Sequence, residues 1–253
     1  MTIRSTATRP GSLRVAAAQC TTRSGDLAVH VAFVSRAAQA GVEVLVFPEL
    51  SLCGYQLDDL REWAPALAQA SLHGLASLAR AHGMTVVAGA PEATATGKVR
   101  IGSFVFPPDG EAWVYAKRHP QPGEEQHVGP SPMQPGTLRH GVDTSALAIC
   151  AEIGRASHAQ AAADAGASVD LASVLVSRAG YEVDAAHLQR RAVRQGLGVL
   201  MANHGGPPES TARNRWRISA RTASSCPTSR WPPSSKPMKR APGMRLAVYR
   251  AAA

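Results

Sequence analysis

No CxxC pair occurs among the four cysteines, Cys20, Cys53, Cys150 and Cys226, and their wide separation excludes a zinc ribbon and a disulfide framework. Reduced thiols are the expectation, so any one of them is available as a nucleophile. No apolar stretch of signal-peptide length follows Met1 to Pro10, and no run elsewhere is long enough to span a bilayer, so a cytoplasmic protein is expected. No internal repeat is visible, which excludes solenoids and propellers. His119, His158, His187 and His204 form no metal spacing, and no metal or cofactor is expected. Acidic residues are almost missing from the last stretch. Glu209 to Ala253 holds 10 Lys and Arg against the single acid Glu209, whereas Met1 to Pro208 balances 17 against 17. The net charge of +9 therefore belongs to an appendage, and a nucleic-acid partner is not expected of the body. A polyanion bound by that tail is a separate reading, and its binding would weaken steeply with salt.

What is present is alternation. Arg14 to Cys20 reads as a buried strand, and Leu27, Val31, Val34 and Ala38 stand at helical spacing before the stop at Gly41. Val42 to Phe47 reads as a strand, Ser71 to His82 as a helix ended by Gly83, and Met84 to Ala90 as a strand. Ile101 to Phe106 and Glu111 to Ala116 flank Pro107-Pro108-Asp109-Gly110, whose proline and Asp-Gly chemistry predicts a hairpin turn. After a loop from Pro120 to Gly136 the pattern predicts a strand over Ala146 to Cys150, a helix over Ser157 to Ala165 and a strand over Val169 to Val176. A helix over Asp184 to Gln195 and a strand over Gly198 to Ala202 close the series. One mixed α/β domain over 1–208 follows. From 209 to 253 the prolines Pro227, Pro232, Pro233, Pro237 and Pro242 interrupt any periodicity, and a poorly ordered tail is expected, with Leu246 to Tyr249 a candidate terminal strand.

Three of these strand-like runs end on a chemically active side chain. Glu49 follows Phe47-Pro48 at the carboxyl edge of its strand, where open α/β sheets place their sites. Lys117 leaves the strand Glu111 to Ala116 into a loop, and Cys150 closes the run Ala146 to Ile149 before a tight connection. Taken singly, each has a plain reading: a surface glutamate, a solvated lysine, an inert buried thiol. Taken together, a thiol beside a carboxylate base and a fixed ammonium can open a carbon–nitrogen bond. An ammonium near Cys150 is expected to lower its pKa.

In order, the segments Ala18-Gln19-Cys20, Phe47-Pro48-Glu49-Leu50, Gly54-Tyr55, Pro108-Asp109-Gly110, Tyr115-Ala116-Lys117, Ala148-Ile149-Cys150, Gly166-Ala167 and Ala202-Asn203 resemble the nitrilase, or carbon–nitrogen hydrolase, superfamily over Leu13 to Gly206. The resemblance implies a four-layer α-β-β-α sandwich and a homodimer or larger homo-oligomer. It implies Glu49 as general base, Lys117 as cationic stabiliser and Cys150 as nucleophile. A second glutamate that orients lysine and substrate is also implied; Glu125 is preferred on register, with Glu124 the alternative. Tyr55 and the backbone of Ala151 are placed at the substrate. The implied activity is hydrolysis of a small amide through a cysteine thioester, with nitriles and N-carbamoyl compounds as variants and loops Gln56 to Trp63 and Pro120 to Gly136 setting substrate choice. An inactive structural relative is the competing reading.

Two departures stand out. Glu152 matches the acid that relatives carry two positions after the cysteine, but Ala156-Ser157 replaces their Pro-Glu pair. After Gly206 the Gly- and Ser-containing strands that complete the sandwich give way to the basic tail, as a shift of reading frame would produce, so an incomplete sandwich with an open sheet edge is expected there.

Overall fold

The structure, a computed structural model, describes residues 13–20, 27–69, 71–132, 136–141, 143–177, 179–205 and 245–250. The apolar run at the start forms β1 (Arg14–Gln19), and the 3.6-residue spacing after it forms α1 (Leu27–Gln39), which buries Phe33, Val34 and Ala37. β2 (Val44–Val46) follows. Next come α2 (Leu60–Gln69) and α3 (Ser71–His82), then β3 (Thr85–Ala93), β4 (Val99–Phe106) and β5 (Trp113–Ala116). The second half supplies β6 (Thr137–His140), β7 (Asp143–Ile149), α4 (Ala156–Asp164), β8 (Val169–Val174), α5 (Tyr181–Gln195) and β9 (Gly198–Asn203). The last described element is β10 (Arg245–Arg250).

These strands form two sheets, ordered β10-β1-β2-β3-β4-β5 and β6-β7-β8-β9. β1, β2 and β3 run parallel, as do β7, β8 and β9, because helices connect them; the hairpins β3–β4–β5 and β6–β7 are antiparallel. The period-two alternation of the second sheet shows how the layers stack. Leu147, Ile149, Leu171 and Leu200 join the strands of the first sheet and Phe33, Val34 and Leu75 of its helices in one core. Their neighbours Ala148, Ala172 and Met201 turn the other way and pack with Tyr181 and Leu188 of α5, while Ala146 packs with Ala162 of α4. Each sheet thus has helices outside and the other sheet inside, which is the expected α-β-β-α sandwich.

Two elements differ from the sequence reading. The loop expected over Gln56 to Trp63 becomes helical at Leu57, with α2 beginning at Leu60. β6 occupies the end of the stretch left without an element; four residues with only Leu138 buried carry too short an alternation to be read. Within the tail, residues 245–250 pair antiparallel with β1 from Arg14↔Arg250 to Gln19↔Arg245, so that edge of the first sheet is covered. The expected gap in the sandwich falls on 206–244, outside the described residues, as does Cys226. No helix among the described residues is long and apolar enough to cross a membrane.

Candidate active site

Glu49 sits three residues beyond β2, inside a turn in which Leu50 takes a φ of +48°. The turn lies directly on β3: a Cβ on Gly89 would stand 2.3 Å from the Leu50 nitrogen and 2.6 Å from the Pro48 oxygen. Only glycine permits that approach. The Leu52 N–H donates to the Gly89 carbonyl at 3.0 Å, and the Gly89 N–H donates to the Ser51 hydroxyl at 3.2 Å. From the second sheet, the Ser173 hydroxyl donates to the Phe47 carbonyl at 2.8 Å. The carboxylate of Glu49 is thereby fixed in the interior, 1% exposed.

Lys117 follows β5, and its backbone N–H donates to Ile101 on β4 at 2.8 Å, continuing the hairpin ladder. Its ammonium donates to Glu49 Oε1 at 2.7 Å and lies 2.8 Å from Glu124 Oε2 and 2.9 Å from Glu124 Oε1. Glu124 is itself buried; its carboxylate accepts from the Tyr55 hydroxyl at 2.7 Å and from the Gln121 N–H at 2.7 Å. Glu125, the residue preferred on register, does not reach this cluster. Its exposed carboxylate accepts from the Gly123 N–H at 2.8 Å. The two glutamates lie in a short 3₁₀ turn, Glu124–Gln126, where adjacent side chains diverge by a third of a turn, so only one can face inward.

Cys150 ends β7. Its φ of +43° breaks the strand sharply and starts the 3₁₀ turn Cys150–Gly154 that leads to α4. Its thiol interacts with the Glu49 carboxylate and with the backbone at Leu175. Asn203 holds the neighbouring loop: its side-chain carbonyl accepts from the Val176 N–H at 2.9 Å and its amide donates to the Val176 carbonyl at 3.0 Å. Ala151, half-buried, opens the turn with Cys150.

Burial raises the Glu49 pKa above its ordinary value, only partly offset by the Lys117 charge. Burial alone would lower Lys117, but Glu49, Cys150 and Glu124 outweigh it and leave the ammonium firmly protonated. The Cys150 thiol is raised by burial and by the Glu49 charge, and Lys117 offsets only part of this. That corrects the expectation of a lowered thiol pKa: Lys117 does pull the thiol down, but burial and the Glu49 charge push it up by more. The resting site therefore holds a neutral thiol beside a base rather than a preformed thiolate. Cys20 and Cys53 are also pushed up, each to about 12, by burial.

Gly89 and Ser173 support the site without having been singled out by the sequence, and Glu152, noted there only as a match to relatives, supports it too. An isolated Gly in a strand was the available signal for the first. Arg190, Arg191 and Arg194 lie elsewhere, around a cavity of about 250 Å³ between α4 and α5. Among the described residues no group of His, Cys, Asp or Glu is placed to hold a metal ion.

A thiol, a carboxylate and an ammonium converging where two sheets of an α-β-β-α sandwich meet define a class of cysteine hydrolase. The carbon–nitrogen hydrolase family model matches residues 14–217, and the chain belongs to that family, whose enzymes hydrolyse carbon–nitrogen bonds. Solved structures agree. An amidase from Nesterenkonia sp. is 25% identical, with a TM-score of 0.72 and 82% of each chain covered. A cysteine-to-alanine mutant of the Nesterenkonia AN1 amidase, described as from the nitrilase superfamily, is 26% identical, with a TM-score of 0.71 and 80% of each chain covered. A glutamate-to-glutamine mutant of that amidase, showing covalent addition of the acetamide moiety of fluoroacetamide at the active-site cysteine, is 25% identical, with a TM-score of 0.71 and 82% of each chain covered. A comparison with curated proteins gave no match.

Proposed function

We propose that this enzyme hydrolyses a small amide through a thioester on Cys150. The observation that carries the reading is the buried ion triplet: one ammonium within 2.7 to 2.9 Å of two carboxylates, with the thiol interacting with one of them. The Cys150 sulfur attacks the amide carbon as Glu49 takes the thiol proton, which the raised thiol pKa makes necessary. Negative charge moves to the amide oxygen. Lys117 Nζ and the Ala151 N–H face it, and one such preorganised donor contributes about 3 kcal/mol. Glu49 then returns the proton to the nitrogen, the carbon–nitrogen bond breaks, and ammonia or an amine leaves. Water, deprotonated by Glu49, attacks the thioester; the carboxylic acid departs and the thiol is restored, so the kinetics are ping-pong.

Glu124, rather than Glu125, takes the role of the second glutamate. It holds the Lys117 ammonium together with Glu49, and with Tyr55 it supplies polar groups for orienting the substrate amide. The neighbour that carries the acetamide moiety of fluoroacetamide on its cysteine supports short acyl groups as the first substrates to test. Homo-oligomerisation belongs to the same reading, supported by the exposed Val183 and Val193 on α5, and sedimentation velocity reads it.

Ammonia release from short aliphatic amides, with nitriles and N-carbamoyl compounds beside them, tests the activity. Amide turnover that disappears in Cys150→Ala, with an acyl adduct on Cys150 by mass spectrometry, is expected. Folded protein with neither turnover nor adduct on any of these substrates overturns the reading.

A further inference from the structure

One buried carboxylate near the site directs its hydrogen bonds away from the reacting groups. Glu152, 0% exposed, accepts the backbone N–H of Ile149 on Oε2 at 2.8 Å and the backbone N–H of Arg118 on Oε1 at 2.7 Å. The Tyr115 hydroxyl lies 3.0 and 2.9 Å from the same two oxygens. Ile149 is the residue before the nucleophile, and Arg118 is the residue after the lysine. Ile149 ends β7 of the second sheet and Arg118 lies just beyond β5 of the first, so a single carboxylate ties the turn that carries Cys150 to the strand end that carries Lys117.

The surroundings fix the carboxylate in turn. Gly136 makes room for the Tyr115 ring, since a Cβ there would lie 2.5 Å from it. The Arg118 guanidinium donates to the Tyr115 oxygen at 3.1 Å and to His158 Nδ1 at 2.7 Å, with its Nε 3.8 Å from Glu152 Oε1. Because a guanidinium only donates, His158 accepts on Nδ1 and its Nε2 faces Asp170 at 3.8 Å. Tyr115 and Arg118, the two side chains nearest Glu152, are thus each held by a further partner.

We propose that Glu152 is a positioning residue that keeps the Cys150 sulfur and the Lys117 ammonium in register across the two sheets, a role that rests on Cys150 being the nucleophile. The need for it comes from the φ of +43° at Cys150, a conformation that a residue with a side chain adopts only under constraint. Two backbone N–H groups anchored on one rigid carboxylate supply that constraint. Released, the Ile149–Cys150 link relaxes toward ordinary strand geometry and carries the sulfur off the line of attack.

Glu152→Gln tests this with little change of volume. The amide has one oxygen for two backbone N–H donors, so its NH₂ must face either Ile149 or Arg118. A fall in kcat of about 30-fold or more is expected with KM within about threefold, because the fault lies in transition-state geometry. The acylation rate in single-turnover experiments, and alkylation of Cys150 by iodoacetamide, are expected to fall in parallel. All rates are referred to the folded fraction, measured by circular dichroism. A merely structural carboxylate predicts lower thermal stability with unchanged rates per folded molecule, and that result overturns the proposal. Tyr115→Phe, which keeps both backbone anchors and removes one donor, is expected to lose about fivefold in kcat at unchanged KM. If Glu152→Gln does not fold, wild-type kcat in Tyr115→Phe overturns the proposal. Failure of the amidase reading is distinguishable, since it shows as a missing Cys150 adduct in the wild type.

Discussion

The turn that carries Glu49 and the turn that carries Cys150 solve the same problem by different means. Each ends a parallel strand, and each contains a residue with a side chain at positive φ: Leu50 at +48° and Cys150 at +43°. Around Glu49 the constraint is steric. The turn is pressed onto Gly89, stapled by Ser51 and closed beneath by buried Phe47, Leu50 and Leu52. Around Cys150 the constraint is polar: a half-exposed residue is held through its neighbour's N–H by the buried carboxylate of Glu152. In the proposed reaction, Glu49 as base must stay dry and immobile to keep its raised proton affinity, whereas Cys150 as nucleophile needs an open side for substrate. Packing can supply the first; only directed hydrogen bonds can supply the second without closing the site.

Substitutions at the two turns should therefore fail in different ways. Cys150→Ala removes the attacking atom from the open turn. Turnover is expected to fall on the order of 10⁴-fold or more while the melting temperature stays near wild type, read by ammonia release and calorimetry. Lys117→Met, between the turns, is expected to affect both properties. It leaves Glu49 and Glu124 buried without their common cation, a loss of about 3–5 kcal/mol in urea denaturation, and it removes an oxyanion donor. Gly89→Ala attacks only the packed turn: with backbone atoms at 2.3 and 2.6 Å from the new Cβ, about 2–3 kcal/mol of destabilisation is expected. Wild-type stability for that variant would mean that the Glu49 turn is softer than its packing indicates.

The same comparison shows what the sequence could and could not disclose. Glu49, Lys117 and Cys150 stood out because each ends an apolar run, a feature visible in one dimension, but each had a plain reading alone and only the ordered resemblance grouped them. The choice between Glu124 and Glu125 was not legible, since it depends on which way a three-residue turn is rotated. The direction of the thiol shift was also hidden, because it depends first on how deeply the fold buries the sulfur and then on the Glu49 charge that the fold brings beside it. Ser173 looked like an ordinary strand residue, and Glu152 stood out only as a match to relatives, with no role attached; their partners lie 126 residues away at Phe47 and 34 residues away at Arg118. Contacts at that separation leave no periodic trace. Repeating elements such as α3, read over Ser71 to His82 and found there, leave a strong one.

Alkaline stability probes the Cys150 turn by titration. Cys150 and Lys117 both have folded pKa values above their ordinary values of 9.0 and 10.5. As pH rises through 9, the unfolded chain loses the thiol proton first while the folded state retains it, so the unfolded state binds fewer protons and stability falls with pH. The lysine adds a second decline above 10.5; near pH 7 both contributions are fully present and neither gives a pH dependence. Unfolding free energies of wild type and Cys150→Ala measured from pH 8 to 10 are expected to diverge, with the shallower slope in the variant. Equal slopes would place the thiol in a less buried setting than its turn provides.

Ser173→Ala is the gentlest way to disturb the comparison, because Ser173 belongs to both sides. It stands opposite Ile149 in the β7–β8 ladder, and its hydroxyl crosses to the Phe47 carbonyl two residues before Glu49. Losing that bond leaves a buried carbonyl unpaired, at a cost of about 1 kcal/mol, and lets the Glu49 turn shift against the Cys150 turn. A decrease of about threefold in kcat at unchanged KM is expected from a displacement of this kind. Combining it with Glu152→Gln makes the test sharper. If the two turns drifted independently, the penalties in kcat would simply multiply; but both changes act on one quantity, the distance from sulfur to carboxylate, so the double variant is expected to depart from the product of the single effects. A strictly multiplicative result would show that base and nucleophile are positioned separately.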